Sequence, residues 1–363
     1  MPLPSDLTDA NNPPVVGRVG RSTTPTLDAG RLRAALSSVF QTHDPLFVVG
    51  TPTLRDSLAG TGLRTLGLED FNADPRQAPP GTAVVLVSTD LAKSVSDEAW
   101  AALERCRLLS VPISSFGADD DTALYSLQML AAVDFDDAVA QAFDWMTMLE
   151  QAVGTLTIAT PDASCALELD DDIGVLQPKL DVETALGEWT TPADYLEMAL
   201  VAARGSTTPC HRLNGEYVAT GAAVACHRYH WRKVRPMADE AWARLQSYRS
   251  SGEFPLRLQL VDSRVTRIRT AGGRDVLHDL LPLVDRDVDT ATTELAFATN
   301  SLPPDDIDWR WNTPMNEAAC GMHLALGSGL NGAHIDFIEP TATVTWYDED
   351  GAEHVMPRHD EPA

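Results

Sequence analysis

Residues 321–340 read GMHLALGSGLNGAHIDFIEP. Two short apolar runs, MHLAL and AHIDFI, flank a link rich in glycine and serine. Each run is too short for a helix and carries polar residues among aliphatic ones, which predicts two β-strands. Residues two apart in a strand share a face. His334 and Asp336 therefore project together, with Ile335 and Phe337 on the opposite side. An imidazole beside a carboxylate can share one metal ion or serve two adjacent ones. The tripeptide His-x-Asp alone is common, and an exposed strand face is its plainer reading. His323, taken singly, reads as a hydrogen-bonded core histidine.

Working outward, the second half of the chain is rich in such segments. ATTELAFATN (291–300), TATVTWYDEDG (341–351), GTLTIATP (154–161) and CALELDD (165–171) all read as strands. LRLQLVDSRVTRIR (256–269) alternates cleanly on both sides of Asp262-Ser263, which predicts an antiparallel hairpin with its turn there. PADYLEMALVAAR (192–204) and EAWARLQSYRSS (240–251) have helical spacing. The first half differs. PLFVVGTP (45–52), TAVVLVSTD (82–90) and RLLSVPISSF (107–116) are buried-strand runs alternating with helical segments at 27–40, 94–106 and 121–153. Alternation of that kind implies a mostly parallel sheet covered by helices. The expected architecture is an extended N-terminus (1–25), an α/β domain (26–153), an α+β domain with a largely antiparallel sheet (154–350) and a polar tail (351–363).

The chain has 363 residues and a formal net charge of −26. So negative a surface repels phosphate backbones and anionic lipid heads, which sets nucleic acid and membrane aside. No apolar run reaches the ~20 residues of a membrane helix, and the N-terminus lacks the order of a signal peptide. Five cysteines, with no C-x-x-C pair, predict reduced thiols in a cytoplasm. Cys210, His211, Cys226, His227 and His230 crowd together in sequence, but without a zinc-knuckle spacing. Gly50-Thr51-Pro52 is not followed by Gly-Lys-Ser/Thr, so the first half is assigned no nucleotide.

Glu294 is a single acid in an apolar strand, and burying a lone carboxylate costs several kcal/mol unless it is paired, protonated or metal-bound. Glu216, in LNGEYVATG, follows a glycine that allows close backbone approach. With His323, His334 and Asp336 these make three carboxylates and two imidazoles, a donor set that suits Zn²⁺, Mn²⁺, Co²⁺ or Fe²⁺.

The order of these segments resembles the M29 (aminopeptidase T, or thermophilic aminopeptidase) family of metallopeptidases. NGEYVATG with Glu216, TELAFATN with Glu294, MHLALG with His323 and AHIDFI with His334 and Asp336 match that family's ligand-bearing motifs in order. The resemblance covers about residues 155–347. It implies a metal-dependent aminopeptidase-like hydrolase, specialised or weakened, with two divalent ions (zinc, manganese or cobalt, with iron less favoured), a peptide or small amide substrate and a homodimer. It also implies a carboxylate, Glu294 or Glu317, as the proton carrier. The chain departs from the pattern where the family usually has a tyrosine, seven residues after the strand histidine. Leu330 stands there, the link to AHIDFI is short, and Glu317 in MNEAAC lacks the family's neighbouring lysine. Those departures keep a second expectation open: a non-catalytic peptide-binding protein of aminopeptidase fold in a modified ribosomal peptide pathway. A third, an iron-dependent dihydroxypyridine ring-cleaving dioxygenase, resembles the same C-terminal domain. Its single-iron pattern has a histidine near position 294 and none at 323, so Glu294 and His323 disfavour it.

Overall fold

The computed structural model describes residues 25–357 except 43, 171–173, 202–210, 286–289 and 319. A parallel sheet is built from β1 (Leu46–Val49), β2 (Thr65–Gly67), β3 (Ala83–Val87), β4 (Arg107–Val111) and β8 (Trp189–Thr190), in the order β2-β1-β3-β4-β8. Helices α1 (Ala29–Phe40), α2 (Pro52–Gly60), α3 (Leu68–Ala73), α4 (Asp97–Leu103), α5 (Asp120–Leu130) and α6 (Phe135–Gln151) accompany it. Strands β1 and β3 are buried throughout, as strands covered on both faces must be. Local capping sets several helix starts: the side chains of Asp28, Thr51, Ser96, Asp119 and Asp134 each accept from a backbone N–H of the first turn.

The rest of the chain forms two antiparallel sheets. The second sheet runs β13-β12-β10-β6-β5-β17-β18, from β5 (Leu156–Thr160), β6 (Ala163–Leu169), β10 (His211–Ala219), β12 (Leu256–Val261), β13 (Arg264–Arg269), β17 (Thr343–Tyr347) and β18 (Glu353–Met356). The third runs β11-β16-β15-β14-β9-β7, from β7 (Gly174–Leu176), β9 (Glu197–Val201), β11 (Gly221–Ala225), β14 (Thr292–Ala298), β15 (Met322–Leu326) and β16 (His334–Glu339). The fold is thus an α/β part with a parallel sheet joined to an α+β part whose sheets are antiparallel.

The hairpin turn falls where the alternation puts it: Asp262 and Ser263 have φ of 48° and 56°, the left-handed pair of a tight β-hairpin. Two expectations need correction. PADYLEMALVAAR is not a helix: one turn, α7 (Ala193–Leu196), leads directly into β9, a strand hydrogen-bonded on both sides. A short apolar run fits either state in sequence, and pairing with neighbours decides it. Residues 353–356, read as polar tail, add strand β18 beside β17. Helix α8 (Trp231–Ser250) also starts earlier than its apolar pattern suggests, and two short helices follow, α9 (Leu277–Leu280) and α10 (Pro314–Glu317).

One face of the third sheet packs on the second through Met198, Leu200, Leu295, Phe297, Leu324 and Phe337. Tyr217 of β10 donates to the carbonyl of Met322 at 2.8 Å across that seam. The opposite face looks towards α7 and α10, and Ala223 and Ile338 there join an apolar cluster that includes Leu32, Val85 and Leu130. The two parts therefore share a core. No helix among the described residues is long and apolar enough to cross a membrane.

Candidate metal centre

Register alone brings the polar residues together. Opposed residues in neighbouring strands point to the same side. Glu197 lies opposite Ala298, and Glu294 opposite Ala325. His323 lies opposite Ala296, Asp336 between Ala325 and Ala223, and His334 opposite Ala225. Four strands thus present Glu197, Glu294, His323, His334 and Asp336 on one face, each with an alanine across the pair. Methyl groups leave room above the sheet where larger side chains would fill it.

The sixth group arrives from above. Glu317 is the last residue of α10, whose start is capped by Thr313 accepting from the N–H of Met315 at 3.2 Å. Asn316 ties that turn down: it accepts from the Tyr125 hydroxyl of α5 at 3.0 Å and donates to the carbonyls of Asp308 and Trp311. Glu317, His334 and Asp336 each offer a ligand atom, and these atoms all lie within 4.8 Å of one another. Glu294 spans both imidazoles, 3.6 Å from His323 Nε2 through one oxygen and 3.6 Å from His334 Nε2 through the other.

His334 is oriented by its backbone surroundings. Its Nδ1 donates to the carbonyl of Gly327 at 2.6 Å, which turns Nε2 towards the carboxylates. Gly327 opens the short link between β15 and β16, and φ of +83° there favours glycine. Buried Asp285 holds that link, accepting from the N–H of Ser328 at 2.8 Å and of Asn331 at 2.6 Å, and from the Ser328 hydroxyl. Leu330, at the tip, is exposed and carries no polar group.

The electrostatics are those of crowded, dry carboxylates. Burial, reinforced by the negative charge of Asp336, Glu197 and Glu294, pushes the Glu317 carboxyl well above the usual range. Burial also raises Glu197, to about 8, against the pull of His323. Burial would raise Glu294 too, but the adjacent His323 imidazole, 3.6 Å away, and the charge of His334 hold it below its ordinary value. Burial opposes charge on the imidazoles, yet the carboxylates outweigh it and lift His323 to about 9 and His334 to about 10. Among the described residues, His323 Nε2, both Asp336 carboxylate oxygens and one Glu197 oxygen are buried without a partner in hydrogen-bonding geometry. His334 Nε2 comes within 2.9 Å of Asp336 Oδ1 without supplying such a bond. Buried polar atoms left in this state carry a large free-energy cost, and a divalent cation is the ligand that would satisfy several at once. The donor set, four carboxylates and two imidazoles with no thiolate, fits such an ion.

Of the residues the sequence singles out, the structure gathers Glu294, Glu317, His323, His334 and Asp336. Glu216 is not among them. It lies on β10 in the second sheet, opposite Gln259, and its Oε2 pairs with Arg257 at 3.0 Å on a partly exposed face. Its neighbour Tyr217 takes the inward side of that strand, so Glu216 must point away. Glu197 is the residue that sequence reasoning missed. The sequence carries a signal for it, a lone acid ahead of the apolar run MALV, but within a segment whose spacing predicts a helix.

Fold and site define a class: a protein with an α/β part and an antiparallel β part, the latter carrying a carboxylate–imidazole cluster suited to a divalent ion. Residues 42–346 match the family described as Crocagin biosynthetic protein CgnE/B, and the chain belongs to that family. No curated protein matches the sequence. Among solved structures, wild-type AmpT from Thermus thermophilus is similar at 12% identity and a TM-score of 0.46, over 91% of this chain and 98% of that one. The 2,5-dihydroxypyridine dioxygenase of Pseudomonas putida KT2440 is similar at 12% identity and a TM-score of 0.43, over 90% of this chain and 96% of that one.

Proposed function

We propose that this protein binds a peptide in a natural-product pathway at a divalent-metal centre, and that it holds the peptide rather than hydrolysing it. The observation that carries the reading is the set of buried, partnerless atoms on His323, Asp336 and Glu197, which calls for a cation. Membership of a biosynthetic family supports the pathway setting. Glu317, His334 and Asp336 would hold the ion, with Glu294 bridging towards His323. A bound ion supplies fixed positive charge and Lewis acidity for a carbonyl or carboxylate of the ligand. The chain's own residues do the rest. The Gly327 carbonyl fixes the His334 tautomer, and α10 brings Glu317 down over the sheet face. Leu330 offers no hydrogen bond to an oxyanion, and loss of one such donor costs about 10²–10³ in rate. The same reading takes the protein to be a cytoplasmic homodimer.

One observation favours a second reading, metal-dependent hydrolysis. Glu197 has its carboxyl raised to about 8 by burial, the range in which a side chain can take a proton and return it. One experiment separates the two. Protein purified without chelator is analysed for metal and mixed with a library of unblocked peptides, and the bound fraction is read by mass spectrometry. Peptides retained intact, and released by chelator, are the expected result. Shortened peptides would move the assignment to hydrolysis, and oxygen uptake with ferrous iron and a dihydroxypyridine to ring cleavage. A protein with neither metal nor bound peptide would end the proposal.

A further inference from the structure

A separate cleft of about 630 Å³ opens at the carboxyl ends of β3 and β4. Its floor is the sheet end, with Leu86, Ser88, Ser110 and Pro112. One wall carries Trp100 of α4 and Trp189 of β8, their ring centroids 5.7 Å apart. The facing wall is the entry to α8. Clefts where two parts of a chain meet, outside the carboxyl ends of parallel strands, are favoured ligand sites.

The charge of this cleft inverts that of the molecule. Acids outnumber Lys and Arg by 53 to 27 in the chain. The lining instead has Lys93, Arg228, His230, Arg232 and Lys233 against the single acid Asp90, and of these Lys93 already pairs with Glu69 of α3 at 3.0 Å. Arg232 and Lys233 sit in the first turn of α8, which has no acid to offset them. The helix dipole is itself positive at that end, so like charges are crowded there until an anion arrives. Among the described residues neither has a carboxylate partner. Arg232 lies over the Trp231 ring at 5.4 Å, and Lys233 donates to the Asn331 side chain at 3.3 Å. Trp189, meanwhile, is 54% exposed, a large apolar ring left at the mouth of a cationic cleft.

We propose that this cleft binds an acidic peptide segment bearing an aromatic residue. Its carboxylates meet the basic groups at the entry to α8, and its ring packs against Trp100 and Trp189. The other basic groups of the lining are strung along residues 228–233 at the entry to α8, which suits several carboxylates spaced along a chain better than a single small acid. A polyphosphate fits poorly: the segments leaving β3 and β4, Ser88-Thr89-Asp90 and Pro112-Ile113, contain no glycine to bring backbone N–H groups onto phosphate, and Asp90 repels it. The choice of a peptide rests on the proposed function, but the site does not use the metal cluster. The two places are linked, because Asn331, which Lys233 contacts, belongs to the loop that positions His334. A single peptide lying in the cleft would meet that loop.

The test uses the whole protein and a blocked probe, acetyl-Asp-Glu-Phe-Glu-Asp-amide, with acetyl-Asn-Gln-Phe-Gln-Asn-amide as its neutral twin. Binding is followed by calorimetry and by the protein's own tryptophan emission at low ionic strength. The acidic probe is expected to bind, and the neutral twin to bind more weakly by about tenfold or more. Arg232→Glu with Lys233→Glu should weaken the acidic probe by about tenfold or more, and the milder Arg232→Gln with Lys233→Gln by less. Stripping metal with a chelator should leave probe binding within about twofold, which separates this site from the metal centre. Absence of binding, equal binding of the two probes, no loss in a folded charge variant, or tighter binding of ATP in the same cleft would each overturn the proposal.

Discussion

The inner face of the third sheet and the outer face of the second hold acids that look alike in sequence. Glu294 stands in TTELAFA and Glu216 in NGEYVA. In the third sheet, Glu294 is 17% exposed, faces two imidazoles and lies between Ala325 and Val201 on the neighbouring strands. In the second, Glu216 is 40% exposed and satisfied by Arg257. A carboxylate that water and an arginine can reach needs nothing more. One that is shut in with other carboxylates needs protons or a cation. The difference lies in which face of the strand the side chain occupies and what covers that face.

The strongest way to break the contrast is to remove charge from the inner face. Asp336→Asn keeps the shape of the side chain, and metal retained after desalting should fall by well over tenfold, since even changes beyond the direct ligands cost about 10–100-fold. Unchanged metal content would place the ion elsewhere. The second test asks whether burial alone has the same force in the second sheet. His211 on β10 is 1% exposed, and burial lowers its imidazole to about 4. The unfolded chain takes up that proton near pH 6.5, so the stability linked to neutral His211 is complete above about pH 6.5 and is lost as pH falls towards 4. The full loss is about 3 kcal/mol. Urea midpoints between about pH 7 and 5 should fall more in the wild type than in His211→Asn; parallel slopes would show that His211 titrates normally.

Smaller effects sharpen the comparison. Tyr217→Phe removes the hydroxyl that bonds Met322 across the two sheets. It should cost about 1 kcal/mol in denaturant unfolding and leave metal content unchanged. A loss of metal would mean that the seam between the sheets also positions His323. Glu216→Gln should be the mildest, below about 1 kcal/mol with no change in metal, because an exposed ion pair contributes little. A large effect there would erase the contrast between the two faces.

Much of this was legible in the sequence. Alternation placed His334 with Asp336, and it placed the turn of the β12–β13 hairpin at Asp262-Ser263. What alternation cannot supply is the partner strand. Glu197 was hidden because MALV is a continuous apolar run, buried in the middle of a sheet, and such runs carry no period that separates strand from helix. Glu216 misled for the complementary reason. Its strand alternates well, but only the packing of Tyr217 against the third sheet shows which side is inside. The cationic cleft was illegible because its walls come from three distant stretches of chain, around Lys93, Trp189 and Arg232.

Strand β8 has a bearing on how the molecule is made. It completes the parallel sheet beside β4, yet it follows β5, β6 and β7 in the chain. A ribosome therefore delivers the first four strands, and then three strands of the other two sheets, before Trp189 and Thr190 emerge to cover the β4 edge. Until then the nascent sheet keeps a row of unpaired backbone groups on that side, the kind of edge to which a second chain can add.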